Sequence, residues 1–145
     1  MFVREVMTSP AVTIRPGEEV AEAARILDRL SITSLPVVEE DGRLVGVIGE
    51  SDVIGRLTTS QEIRSSTNRR ADVARVRDVM THRVLTVTAD DDLAEVIALM
   101  TGTTLKSVPV LLRGRLAGVV SRRDVVRALA RGDLAARPTA DSSPA

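Results

Sequence analysis

The chain contains no cysteine, tryptophan or tyrosine, and it has one phenylalanine and one histidine. Without cysteine there is no disulfide framework, no thiolate nucleophile and no cysteine-based zinc or iron-sulfur site. His82 has no partner at metal-ligand spacing, so it gives no basis for metal binding or acid-base catalysis. Twenty basic and twenty acidic side chains cancel, which removes the broad positive field of a nucleic-acid or anionic-membrane binder. The missing aromatic rings remove a base-stacking platform as well. The Gly-x-x-x-x-Gly-Lys phosphate loop and the Gly-x-Ser-x-Gly elbow are both absent, so the expectation is not an enzyme. No apolar run approaches ~18 residues, and Met1 to Glu5 lacks the apolar run of a signal peptide. The expected location is cytoplasmic.

What is present is aliphatic and repeated. Of 145 residues, 43% are hydrophobic, and the core must be built mainly from Val, Leu, Ile and Ala. Val3-Arg4-Glu5-Val6-Met7-Thr8 returns as Val76-Arg77-Asp78-Val79-Met80-Thr81, and Ser34-x-Pro36-Val37 returns as Ser107-x-Pro109-Val110, both at an offset of 73 residues. After a one-residue deletion, Gly42-Arg43-Leu44-x-Gly46-Val47 returns as Gly114-Arg115-Leu116-x-Gly118-Val119, and Asp52-Val53 as Asp124-Val125. Such a doubled set in register marks two copies of one structural unit.

Each copy reads as strand, helix, strand, strand, helix. Ala11 to Ile14 and Val84 to Val87 are short β-branched runs suited to strands. Glu18 to Leu30 carries Val20, Ala23, Ala24, Leu27 and Leu30 at helical spacing, as Leu93, Val96, Ile97 and Met100 do in the second copy. Leu35 to Val38 and Arg43 to Ile48 form a hairpin through Asp41-Gly42, matched by Val108 to Leu112 and Arg115 to Val120. Closing helices are expected over Asp52 to Leu57 and Arg122 to Arg131. Three strands with helices on one face leave apolar surface uncovered, so the two units should pack together. The resulting division is 1–57, an exposed polar linker over 58–75, 76–131, and a frayed tail over 132–145. Arg64, Arg69, Arg70 and Arg75 are the linker's cations.

The doubled Val-Met-Thr, Ser-x-Pro-Val and Gly-Val-x-x-x-x-Asp motifs resemble a tandem pair of cystathionine beta-synthase (CBS) domains, the Bateman module. The resemblance runs from Met1 to about Arg131. It implies an α/β (α+β) fold of two pseudo-symmetric β-α-β-β-α repeats packed sheet to sheet, commonly paired again as a homodimer. It also implies a regulatory role. An adenosine-containing ligand (AMP, ADP, ATP or S-adenosylmethionine) would be sensed in clefts between the repeats, the output would pass to a client protein, and no cofactor would be required.

Carried onto this chain, the resemblance puts Asp124 on the ribose hydroxyls, with Ser121 assisting and Val119 beside them. Ile32, Thr33, Ser34, Thr8, Pro10 and Val12 would come from the first repeat. Arg122 and Arg123 are candidates for phosphate, Arg123 the preferred one. A second cleft would use Asp52 with Val84, Leu105, Lys106 and Ser107, and Arg83 nearby. Gly49 stands there in place of the serine, which makes the Asp52 cleft the weaker expectation.

Plainer roles fit the same residues. Ser121-x-x-Asp124 is also a capping-box pattern, and Asp90-Asp91-Asp92 suits a helix start through the helix dipole alone. The Thr8 and Thr81 hydroxyls suit turn caps. Two other functions therefore stay open: a dimerisation module without ligand, and an enzyme acting on a nucleotide.

Overall fold

The computed structural model describes residues 1–56 and 74–134. In the first repeat, helix α1 (Val20–Leu30) leads into the hairpin of β1 (Ser34–Val38) and β2 (Leu44–Gly49), closed by α2 (Glu50–Gly55). The second repeat runs α3 (Val76–Val79), β3 (Val87–Thr88), α4 (Leu93–Gly102), β4 (Ser107–Leu112), β5 (Arg115–Ser121) and α5 (Arg122–Ala130). A single 3-10 turn, Val3–Glu5, takes the place of α3 in the first copy.

Local chemistry explains most of these bounds. Helix α1 buries Val20, Ala23, Ile26 and Leu27 along one stripe and stops at Ser31, whose φ of 54° is left-handed. Leu30, which the spacing puts on the same stripe, instead stays exposed. Helix α4 starts at Asp92, whose side chain accepts from the Ala94 N–H at 2.9 Å. In the second hairpin Arg113 and Gly114 are both left-handed, at φ 52° and 78°. Two consecutive positive φ values turn the chain tightly with the right twist for β4 and β5. Each hairpin stacks its inward side chains on its own helix. Leu35, Val37 and Ile48 meet α1 in one core, while Val108, Val110 and Val120 meet α4 in the other.

The first strand of each unit departs from expectation. Ala11 to Thr13 is not a strand, and only Ile14 touches the sheet, through a parallel bridge to Val37. The first sheet therefore has two strands and the second has three. Val84 to Thr86 is likewise unpaired, and β3 is confined to Val87 and Thr88 beside β4. These β-branched runs line clefts between the repeats instead of extending a sheet.

Other bounds shift for local reasons. Helix α1 begins at Val20 because Glu18 and Glu19 are occupied by the chain around Arg75, and α2 begins at Glu50, two residues early. Residue 57 and the linker as far as 73 lie outside the described residues. Ala74 and Arg75 are not loose, since Ala74 accepts from Val20 N and Arg75 bridges to Glu19. Gly132 to Leu134 is ordered too. Gly132, at φ 80°, ends α5, and Leu134 packs on the second core. The remainder of the expected tail, 135–145, lies outside the described residues.

The two opening segments are exchanged between the repeats. Val3 is fully buried in the core of the second repeat, with Val6 and Met7 beside it. Val76 is fully buried in the core of the first, with Val79 and Met80 beside it. Backbone bonds tie each arm down on its foreign host. Val3 N donates to Asp91 O and Arg4 N to Ala89 O, while Val76 N donates to Glu18 O and Arg77 N to Pro16 O. Each arm then crosses the second hairpin strand of its host, Thr8 pairing with Val119 and Thr81 with Val47. The crossing accounts for the repeated Gly-Val. A Cβ on Gly118 would lie 2.6 Å from the Thr8 carbonyl, and one on Gly46 would lie 2.8 Å from that of Thr81. The repeat in the sequence and the packing unit in space are therefore different sets of residues.

Candidate functional site

The exchange brings chemistry to the joint between strand and closing helix. At the start of α5, Ser121 Oγ accepts from the Asp124 N–H at 3.2 Å while Asp124 Oδ2 accepts from Ser121 N at 2.8 Å and from Ser121 Oγ at 3.0 Å. Thr8, arriving on the exchanged arm, donates to Asp124 Oδ1 at 3.0 Å, and Arg127 Nη1 approaches the same oxygen at 3.3 Å. Asp124 is the one buried polar residue of the described core, 5% exposed, and its four donors make that burial tolerable. The capping reading is thus correct for Ser121 and Asp124. The turn-cap reading of Thr8 is not, because its hydroxyl bonds a carboxylate 116 positions away.

Asp52 has the same place at the start of α2 but fewer partners. Its Oδ2 accepts from Gly49 N at 2.8 Å and its Oδ1 from Thr81 Oγ1 at a loose 3.4 Å. With no serine at 49, half of this carboxylate's four acceptor sites have no donor among the described residues. Asp52 is also only partly buried.

A cleft opens above each carboxylate, and both fall within the size range of small-molecule sites. The Asp124 cleft has a volume of about 430 Å³, and the Asp52 cleft about 690 Å³. Val12, Ile32, Thr8, Ser121 and Arg123 line the first, while Val84, Leu105, Asp52 and Arg83 line the second. Pro10 lines neither and sits exposed beyond the arm's crossing. Leu30, on the last turn of α1, joins the Asp124 cleft with Ser31. Thr103 and Thr104 occupy the matching positions of the other cleft.

The wall between the clefts is common to both. Thr33, Ser34, Lys106, Ser107 and Val119 line each of them, so Lys106 and Ser107 are not confined to the Asp52 side, nor Thr33, Ser34 and Val119 to the other. Ser34 and Ser107, equivalent in the repeat, meet across this wall with their hydroxyl oxygens 3.0 Å apart.

The two arginines after Ser121 divide their work. Arg122 is committed to structure. Its guanidinium donates to the carbonyls of Leu105 at 2.8 Å, and of Met100 and Thr103 at 3.2 Å, satisfying backbone oxygens at the end of α4. Both arginines line the Asp124 cleft, and Arg123 has no ion pair among the described residues. Phe2, His82 and the acidic run 90–92 belong to neither cleft; Asp90 pairs with Arg4, and Asp91 and Asp92 accept from backbone N–H groups. Among the described residues no helix is long and apolar enough to cross a membrane.

This fold, with two clefts between exchanged, pseudo-symmetric repeats, defines a class of paired-repeat modules. The family model for the CBS domain matches twice, over residues 3–59 and 76–131, so the chain belongs to the CBS domain family as a tandem pair. A 17.7 kDa protein of Acidianus ambivalens is 30% identical over 128 residues, 88% of this chain and 72% of that protein. The CBS domain pair of protein MJ0100, solved in complex with 5′-methylthioadenosine and S-adenosyl-L-methionine, superposes with a TM-score of 0.72 at 28% identity, covering 92% of this chain and 98% of that one. CBSX2, solved in complex with AMP, gives a TM-score of 0.76 at 26% identity over 92% of this chain and 98% of its own.

Proposed function

We propose that this chain is a regulatory module that binds an adenosine-containing ligand of the AMP, ADP, ATP or S-adenosylmethionine class between its repeats and passes the signal to a client protein. The observation that carries the reading is the Asp124 carboxylate, held at the floor of an apolar-walled cleft between two hydroxyls. Thr8 and Ser121 can each turn from donor to acceptor. A vicinal diol then enters their hydrogen-bond ring without leaving the carboxylate short of donors. Hydrogen bonds to a charged group are worth about 1.5–3 kcal/mol each, so two of them amount to a large part of the ~8 kcal/mol of a micromolar site. Arg123 is the proposed phosphate ligand of this cleft. Asp52, with Val84 and Leu105 beside it, serves the second.

Calorimetric titration with AMP, ADP, ATP and S-adenosylmethionine tests the proposal. Saturable binding of at least one is expected, weakened at least tenfold by Asp124→Ala and less by Asp52→Ala; no heat with any of them sinks it. One observation favours a ligand-free structural role instead, namely that the protein itself already supplies Asp124 with four donors. Under that reading the melting temperature ignores every nucleotide. We also place the module in the cytoplasm as a homodimer. Ile54 and Val126, at equivalent positions of the two closing helices, are 64% and 63% exposed, which suits a self-complementary apolar face. The reading involves no catalysis.

A further inference from the structure

Two pairs of equivalent residues, Thr33 with Lys106 and Ser34 with Ser107, line both clefts, and the first pair differs in charge. Thr33 and Lys106 are equivalent in the repeat and are pinned in the same way. The Thr33 carbonyl accepts from Glu50 N at 3.0 Å and the Lys106 carbonyl from Arg122 N at 2.9 Å. Each immediately precedes the serine that meets its partner across the wall, and each lines both clefts. Only one of the two is a cation.

Each cleft otherwise has one arginine free for an anion, Arg83 on the Asp52 side and Arg123 on the Asp124 side. Arg122 is bound to three carbonyls, and Glu50 opposes an anion in the Asp52 cleft. Lys106, whose side chain is exposed and has no ion pair among the described residues, is the remaining positive charge.

The geometry points to Lys106 as a single cation shared by the two clefts, so that phosphate-bearing ligands in them antagonise each other. One ammonium on a flexible stem reaches toward one phosphate at a time. The first phosphate takes it, and the second meets a cleft short of one charge-assisted contact. The coupling is reciprocal, because each ligand weakens the other by the same factor. A ligand that lacks phosphate makes no demand on Lys106 and gains or loses nothing from occupancy of the other cleft.

This inference rests on the nucleotide-binding reading, and the test separates the two. AMP and adenosine are titrated calorimetrically into the full chain and into two single-cleft variants, Asp52→Ala and Asp124→Asn, the second chosen to keep the helix cap. Circular dichroism checks that both fold. In the absence of coupling, the parent isotherm is the sum of the two single-cleft isotherms. With AMP, the second binding step of the parent should be about 5- to 50-fold weaker than that sum requires, within the usual range of site-to-site coupling. With adenosine the sum should hold. Lys106→Met should weaken AMP in both clefts and restore additivity. Thr33→Lys, which gives the wall a second cation, should restore additivity without that loss. Additive AMP binding in the parent overturns the inference. So does a deficit that persists in Lys106→Met or appears equally with adenosine, and so does AMP binding confined to one single-cleft variant. Failure of AMP and adenosine to bind anywhere overturns this inference alone; only if ADP, ATP and S-adenosylmethionine fail as well does the nucleotide reading fall with it.

Discussion

Replacing Gly118 by alanine tests the exchanged arm directly. The added methyl would lie 2.6 Å from the Thr8 carbonyl oxygen and 2.9 Å from Met7 Sδ. The sulfur ends a flexible side chain and can swing aside, but the carbonyl belongs to the backbone. A comfortable carbon-to-oxygen contact is about 3.3 Å or more, so the arm must withdraw by roughly 0.7 Å. That shift stretches both bonds of the Thr8–Val119 pair, now 2.8 and 3.0 Å, and pulls Thr8 Oγ1 from Asp124. Overpacking costs about 1–3 kcal/mol and a weakened backbone bond about 1 kcal/mol, which gives a destabilisation of roughly 2–4 kcal/mol. At about 4 °C per kcal/mol for a chain of this size, the melting temperature should fall by roughly 8–16 °C in a calorimetric scan. Gly55→Ala is the control. A Cβ there meets nothing within 4 Å, and alanine favours a helix by up to ~1 kcal/mol, so its melting temperature should hold or rise. A Gly118→Ala protein that melts within about 1 °C of the parent would refute the arm's crossing.

Other substitutions probe neighbouring links. Arg122→Met should cost about 1–3 kcal/mol in urea unfolding because it strands the carbonyls at the end of α4, whereas Arg123→Met should stay within ~0.5 kcal/mol of the parent and weaken AMP more than adenosine. Val76→Ala should cost roughly 2 kcal/mol, and hydrogen exchange should locate the loosening in α1 and β2 of the opposite repeat, not in α4. Gly49→Ser should be tolerated within ~1 kcal/mol, since its Cβ meets the Thr33 carbonyl at 3.4 Å; titration should show tighter ligand binding in the Asp52 cleft if a serine there assists as Ser121 is proposed to.

The elements were legible wherever periodicity and turn chemistry act over a few residues. Helix α1, both hairpins and the Asp92 and Ser121 caps needed only spacing, left-handed turn positions and hydroxyl or carboxylate caps. Ala11 to Thr13 and Val84 to Thr86 were misread because β-branched composition records an extended chain and is silent on whether a neighbouring strand is there to pair with it. Leu30 was misread for the opposite reason. Its helical phase is right, but it lies on the last turn, where the core has ended and the cleft has begun. The sequence preferred Arg123 to Arg122 for phosphate but held no sign of what engages Arg122, since those carbonyls lie 17 to 22 positions away.

By itself the sequence determined that the protein is a doubled unit with an aliphatic core, two strand-to-helix joints bearing Asp52 and Asp124, and a serine at only one of them. These follow from local patterns and from identity between copies, which need no knowledge of what touches what. Tertiary structure alone decided that Val3 and Val76 serve each other's cores, that Thr8 and Thr81 reach carboxylates of the opposite repeat, and that Lys106 stands on a wall common to both clefts. The exchange is invisible in the sequence because two equivalent arms fit two equivalent grooves with the same residues. Which arm enters which groove depends on how the chain between them runs through space.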